Sequence, residues 1–162
     1  MHGSSASINV TPVLQAVMTE GTAYMSYKYL YVRVFEDGTA EYHGVLDVDL
    51  TKPIPVLTKS FSEADLAGVT AVLHLPPMQQ LSGTYEREEM GDVRETLDIQ
   101  IFHGGGVQEV RLVNFHSDRD VPGRPRYTQT AVRLGCIIDR LRHKAESSDW
   151  ESEECKKLPV VN

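Results

Sequence analysis

Hydrophobic and polar residues alternate in two parts of the chain that have the pattern of β-hairpins. The first spans residues 31–42 around Asp37-Gly38, and the second spans residues 97–113 around the run Gly104-Gly105-Gly106. Successive side chains of a strand point to opposite faces, and Asp-Gly pairs or glycine runs are typical of the turns between paired strands. The sequence therefore predicts two hairpins, with a type I′ turn at Asp37-Gly38 because that turn needs positive φ at both residues.

Two segments with helical spacing follow, one after each hairpin. The first begins at Ser62, with Asp65 three residues later as in a capping box, and has an apolar stripe of Leu66, Val69, Val72 and Leu73. The second begins at Thr128 or Thr130 and has a stripe of Leu134, Ile137, Ile138 and Leu141. Gly135 is costly inside this helix, so we expect the helix to approach the sheet or another helix closely there.

Three other segments have less regular patterns. Thr11-Pro12 followed by apolar residues predicts a helix that ends at Gly21, with a strand as the alternative. Lys28 and Arg33 fall on opposite parities of one predicted strand, which indicates either a β-bulge between them or long side chains that reach water from the rim of the sheet. Prolines make residues 50–57 extended, edge-like or loop, and the polar residues 82–92 form a loop or a frayed edge.

A hairpin and a helix thus follow one another twice, in halves at about residues 24–81 and 93–145. A lone hairpin is marginal in water and needs a helix to cover its apolar face. The pattern predicts an α+β fold: a single antiparallel sheet of four to five strands, formed by two hairpins joined edge to edge, with helices on one face. We expect one domain over residues 9–146, after a disordered lead or expression remnant (1–8) and before an acidic tail (147–162).

Composition narrows the class of partner. The chain has 162 residues and a net charge of -7, which argues against nucleic acid because phosphate contacts need clustered Lys and Arg. No apolar run approaches the roughly 20 residues that span a bilayer, and residues 1–7 do not form a signal peptide. We expect a soluble protein, either cytoplasmic or exported with its signal removed.

Cys136 and Cys155 either form a disulfide that pins the tail or remain unpaired, and the low cysteine count favours unpaired thiols.

An aromatic cluster gives the main functional hypothesis. The first hairpin and its lead-in contain Tyr24, Tyr27, Tyr29, Tyr31, Phe35 and Tyr42. Neighbours in a strand point to opposite sides, so some tyrosines should line the open face of the sheet, unless another segment covers it. Tyrosine is common in binding surfaces. We therefore expect a non-catalytic binding module without a cofactor, which holds a protein or small molecule on Tyr27, Tyr29, Tyr31 and Tyr42; the alternative is a homodimer that buries the same face.

One loop gives an enzymatic alternative. His116, Asp118 and Asp120 lie within five residues, and imidazole and carboxylate groups are suitable metal ligands. This spacing would fit a small metal-dependent hydrolase, although the same residue types are common in turns. His103 and the glycines after it resemble the oxyanion loop of some esterases, but the sequence has no Gly-x-Ser-x-Gly elbow, so a hairpin turn is favoured there.

Overall fold

The computed structural model describes residues 11–44, 54–148 and 150–158; the lead predicted at residues 1–8 lies outside these ranges. The described residues form seven strands and four helices. The strands are β1 (Pro12–Gly21), β2 (Ser26–Phe35), β3 (Thr39–His43), β4 (Val56–Ser60), β5 (Gly83–Glu86), β6 (Arg94–His103) and β7 (Gly106–Val113). The helices are α1 (Glu63–Leu73), α2 (Pro76–Gln79), α3 (Gln129–Ala145) and α4 (Glu153–Lys156).

All seven strands belong to one sheet, in the order β4-β3-β2-β1-β6-β7-β5. Neighbouring strands are antiparallel except β5 and β7, which are parallel. The α+β class is confirmed, but the prediction of four to five antiparallel strands is wrong in detail, because the sheet is mixed and larger. The additional strands are β1, predicted as a helix, and β5, predicted as a loop or frayed edge. Within the described ranges, no helix is long and apolar enough to cross a membrane.

The N-terminal helix predicted after Thr11 is wrong, because these residues form the central strand. Leu14, Ala16 and Met18 are fully buried, while Gln15 and Val17 between them are partly exposed. This alternation has the period of a strand, and it outweighs the weaker helical spacing. β1 pairs with β2 on one side and β6 on the other, so the two hairpins flank β1 and are not joined edge to edge.

A β-bulge resolves the positions of Lys28 and Arg33. Consecutive residues Ala16 and Val17 of β1 pair with Val32 and Leu30, which leaves Tyr31 as an extra residue in β2. Lys28 then pairs with Thr19 and Arg33 with Gln15, and Thr19 and Gln15 share one face because they are four residues apart in a strand. Of the two explanations offered by the sequence, the bulge is confirmed.

The first hairpin turns where the sequence predicts, but with a different geometry. Gly38 has φ +88° and its N–H donates to the carbonyl of Phe35 at 3.0 Å. Among the described non-glycine residues, positive φ occurs only at Asn114 and Ser147, so Asp37 is not left-handed and the type I′ prediction is wrong. The loop is one residue longer, with glycine at its left-handed last position.

Side-chain caps fix the two long helices as predicted. Ser62 accepts from the N–H of Asp65 before α1, and Thr128 accepts from the N–H of Ala131 before α3. α3 lies across β2, β3 and β4. Its buried residues complete the core; they include Ala131, Leu134, Ile138 and Leu141.

A disulfide joins the C-terminal segment to α3. Cys136 and Cys155 are bonded, with 5.4 Å between their Cα atoms, so the unpaired thiols favoured by the sequence are not what the fold contains. Cys155 is buried in α4 and Leu158 packs against the core. Residues 150–158, expected as part of an acidic tail, therefore pack on the domain; we call them the C-terminal strap.

The close approach expected at Gly135 is present, and it gives a test of the packing. A Cβ at Gly135 would lie 2.3 Å from Cε1 of Phe115, whereas a Cβ at Gly68 in α1 would meet nothing within 4 Å. We expect Gly135→Ala to lower the free energy of unfolding by about 2 kcal/mol through overpacking. Gly68→Ala should raise it by roughly 0.5–1 kcal/mol. Urea denaturation of both variants measures the difference, and equal effects would contradict the packing.

Candidate functional site

The four tyrosines proposed as a binding surface lie in different environments. Tyr29 and Tyr31 are only 9% and 8% exposed, while Tyr27 and Tyr42 are half-buried. The Tyr31 hydroxyl donates to Asp139 of α3 at 3.0 Å, and the Tyr29 hydroxyl donates to Glu20 at 2.6 Å. The bulge turns Tyr31 toward α3. Tyr29 and Tyr31 therefore do not line the open face of the sheet, as the sequence led us to expect.

His116 lies between two carboxylates beneath α3. Its Nε2 is 2.7 Å from Oδ2 of Asp139, and its Nδ1 is 3.0 Å from Oε1 of Glu95. Burial alone would lower the pKa of His116, but the hydrogen bonds and charges of Asp139 and Glu95 outweigh it and raise the pKa to about 10. At neutral pH the ring is therefore a cation that donates from both nitrogens. Tyr31, Asp139, His116 and Glu95 form one hydrogen-bonded network, buried at Tyr31 and Asp139 and half-buried at His116 and Glu95, which we call the histidine network.

Arg142 supports the same network at the bulge. Its Nη1 donates to the carbonyl of Tyr31 at 2.8 Å, and its Nε donates to Glu146 one turn later. The guanidinium lies 5.2 Å from the ring centre of Tyr31 and 5.0 Å from that of Tyr42, a geometry typical of cation–π contacts. Arg142 is 6% exposed although it stands among the basic residues of the last turn of α3. The sequence pattern of the last turn of α3, with Arg142, His143 and Lys144 in succession, does not indicate which of these residues is buried.

The loop proposed as a metal site does not bring its three residues together as ligands. A metal-bound histidine needs a free lone pair, whereas both nitrogens of His116 donate to carboxylates. Asp118 is exposed, and Asp120 pairs with Arg126 at 3.7 Å. Across the described ranges, no group of three His, Cys, Asp or Glu side chains is arranged to hold a metal ion.

Clefts open on three parts of the surface that the described residues form. One of about 470 Å³ lies between the loop after β7 and the C-terminal strap, and its lining includes Arg87, His116 and Trp150. A second, of about 580 Å³, lies on the open face of the sheet over polar residues such as Gln15, Gln100 and Arg111. The third, of about 750 Å³, lies at one end of the sheet between the β1–β2 turn and the loop before β6. We call this third one the loop-tip cleft.

The loop-tip cleft combines apolar side chains with negative charge. Four large hydrophobic residues in its two loops are exposed: Tyr24 (95%), Met25 (48%), Met90 (58%) and Val93 (40%). Tyr24 lines the cleft itself, and the other three lie in the same loops beside it. The lining also includes Glu89 and Asp92, both exposed. Arg94 lines the cleft too, but its side chain is 3.6 Å from that of Glu86. The positive charge of Arg94 is thus balanced by Glu86, and Glu89 and Asp92 give the cleft a net negative charge.

Part of this cleft was visible in the sequence. Tyr24 belongs to the aromatic cluster of the first hairpin, but the alternation of strand faces favoured the later tyrosines, Tyr27, Tyr29, Tyr31 and Tyr42, as the binding surface. Met90 and Val93 stand in a polar stretch that predicts only a loop. The register Gly21↔Arg94, which places the two loops side by side, follows from β1 being a strand. That pairing could not be derived while β1 was predicted as a helix.

Comparison with other proteins does not supply a function. No protein-family model, no curated protein and no solved structure matches this chain. What the protein does is therefore inferred from its clefts and side chains.

The raised pKa of His116 predicts how stability changes with pH. The folded pKa, about 10, lies above the unfolded value of about 6.5. The stabilisation is therefore fully present below pH 6.5 and is lost as pH rises toward 10, by up to about 1.4 kcal/mol per pH unit. Urea denaturation between pH 6 and 9.5 should show this decline in the wild-type protein and a much flatter profile in His116→Gln. Parallel profiles would mean that His116 is not the titrating group.

Proposed function

We propose that the protein is a non-catalytic binding module that holds an apolar, positively charged polypeptide segment across the loop-tip cleft and the two loops beside it. The observation that carries this proposal is the concentration of exposed apolar surface. Of the eight large hydrophobic side chains that are exposed among the described residues, Tyr24, Met25, Met90 and Val93 occupy these two loops. Exposed apolar clusters with a polar rim are typical of interaction sites.

The two loops suit recognition because rigid strands hold them. Gly21 and Arg94, where the loops leave β1 and β6, are paired in the central ladder of the sheet. The β1–β2 turn is closed by a 2.7 Å hydrogen bond from the N–H of Thr22 to the carbonyl of Met25. Tyr24 and the methionines thus extend from a fixed base, and a tyrosine ring and a flexible thioether are side chains that often anchor protein partners.

Charge favours a cationic partner. Glu89 and Asp92 line the cleft, and Arg94 is already paired with Glu86. The whole chain has a net charge of -7, so Lys or Arg residues beside an apolar anchor would be attracted and acidic segments repelled. Anionic lipid surfaces would be repelled for the same reason.

Binding is favoured over catalysis by the state of the candidate catalytic groups. Both nitrogens of His116 are engaged, and Cys136 and Cys155 are joined to each other. The hypothesis of a tyrosine-lined open face is disfavoured. Tyr27 pairs with Glu20, which lies on the same face of β1 as buried Met18. The hydroxyls of Tyr29 and Tyr31 donate to Glu20 and Asp139. A second copy of the chain is the alternative occupant of the cleft, in place of the homodimer through the tyrosine face.

The disulfide bears on the compartment in which binding takes place. Disulfides persist in oxidising compartments and are rare where thiol reductants are abundant. The Cys136–Cys155 bond therefore favours the exported alternative over the cytoplasmic one.

Selection of peptides on the immobilised protein tests the proposal. A random heptapeptide phage library should yield sequences with an aromatic or aliphatic residue next to Lys or Arg. Synthetic versions should bind the double variant Tyr24→Ser/Met90→Ser at least tenfold more weakly, by fluorescence polarisation, with Tm unchanged because both residues are exposed. Glu89→Lys/Asp92→Lys should weaken binding as well, and the loss should shrink at high salt.

Val107→Ser is the matched control, because Val107 is 50% exposed and follows the β6–β7 turn at the other end of β6. It should leave peptide affinity unchanged. Peptides without basic residues, or peptides that bind all variants equally, would refute the proposal. Light scattering measures the oligomeric state. A wild-type dimer that becomes a monomer in Tyr24→Ser/Met90→Ser would identify a second copy as the occupant instead.

A further inference from the structure

Arg87 lies in a pocket built for a carboxylate. Its side chain is 9% exposed, and the guanidinium lies 4.3 Å from the ring centre of Tyr127. Nη1 also donates to the carbonyls of Phe115 (2.7 Å) and Ser117 (3.1 Å), which fixes its plane. A buried guanidinium held in this way presents the edge of Nη1 and Nη2 in the fork geometry that matches two carboxylate oxygens, with Nη1 shared between the carbonyls and the carboxylate.

The carboxylate in this pocket comes from the chain's own C-terminal strap. Glu154 accepts from Nη2 of Arg87 through Oε1 at 2.7 Å and from Nη1 through Oε2 at 3.0 Å. Glu154 itself is 41% exposed and faces the cleft of about 470 Å³ that Arg87, Ser152 and Lys157 also line. The charged arginine is therefore the buried, fixed partner, and the carboxylate is the partner on the solvent side.

The disulfide holds this carboxylate in place. Cys155 is the residue after Glu154, and its bond to Cys136 fixes α4 against α3. The other contacts of the strap are non-covalent: Arg140 with Glu151 at 3.1 Å, and Trp150 with its ring centre 4.9 Å from that of His143. The tether keeps Glu154 at a high effective concentration beside Arg87, so a free carboxylate cannot compete while the bond is intact.

We propose that the Arg87 pocket is a binding site for a carboxylate ligand, that Glu154 closes it in the oxidised protein, and that reduction of Cys136–Cys155 opens it. The site shares no lining residue with the loop-tip cleft. A dithiol reductant supplies the step: one of its thiolates attacks one sulfur of the disulfide and the other resolves the mixed disulfide. The two protein sulfurs gain two electrons and two protons, and the reductant leaves as a cyclic disulfide. The strap, still joined to α3 through the main chain, then competes with external carboxylates by its non-covalent contacts, without the cross-link that fixes α4.

Chemical rescue tests the site without reduction. Glu154→Ala in the oxidised protein removes the internal carboxylate and retains the tether, and Tm should fall by about 5 °C because Arg87 loses its charged partner. Formate or acetate at tens of millimolar should restore most of the loss, whereas chloride at equal ionic strength should not. The double variant Arg87→Met/Glu154→Ala should show no rescue. Equal responses to formate in the single and double variants, or no fall in Tm, would overturn the carboxylate site.

Trp150, the chain's single tryptophan, reports on the opening. Far-UV circular dichroism first checks that the protein stays folded after treatment with a dithiol reductant. We then expect Trp150 emission to change as its ring leaves that of His143, and trypsin to cut at Lys156 or Lys157 at least tenfold faster. Acetate should bind the reduced protein and not the oxidised one. Tighter binding of a peptide with a free C-terminus than of its amide or of acetate would identify a chain terminus as the ligand source. Unchanged emission and proteolysis in folded, reduced protein would overturn the redox step, as would unfolding on reduction.

Discussion

The extra residue of β2 sets the relation between the sheet and its main helix. Tyr31 points toward α3, where its hydroxyl donates to Asp139, and its carbonyl accepts from Arg142. Two side chains of the helix thus contact the extra residue, Asp139 at its hydroxyl and Arg142 at its main-chain carbonyl. Because a bulge leaves the ladder locally incomplete, the groups it frees need partners, and α3 supplies them. The helix is thereby fixed in direction and in rotation, which places Asp139 beside His116.

Phe115 connects this network to the Arg87 pocket. Its ring lies edge-on to His116 with 5.4 Å between centres, and it also lies 5.7 Å from the guanidinium of Arg87. The same ring fills the space that Gly135 leaves on α3. Two cations, buried Arg87 paired with Glu154 and half-buried His116 between Glu95 and Asp139, are therefore separated by one aromatic side chain. The apolar Phe115 ring lowers the dielectric constant around both ion pairs, which strengthens them. Removing a carboxylate or a cation from either pair is therefore costly.

Local patterns in the sequence predicted local structure well. The caps at Ser62 and Thr128, the turn position at Gly38, the close approach at Gly135 and the bulge between Lys28 and Arg33 depend on residues near one another in the chain. The central strand β1 was missed because Thr11-Pro12 and four apolar residues also fit a helix start. The histidine network could not be predicted, because Tyr31, Glu95, His116 and Asp139 come from four separate segments and meet only when the sheet order is known. The exposed apolar cluster in the two loops was missed because isolated apolar residues in a polar stretch have no periodicity.

The central place of β1 has a consequence for how the chain folds. β1 precedes β6 in the chain by four other strands, yet the two are neighbours in the sheet, with Leu14 opposite Ile101 and Gly21 opposite Arg94. During synthesis, the β1–β2–β3 meander can form early, but its inner edge stays unpaired until the ribosome has released the second half of the chain. Non-local pairing of this kind slows folding and leaves a strand edge open to other chains meanwhile. Nascent chains halted before β6 should therefore be the form of this protein most dependent on chaperones.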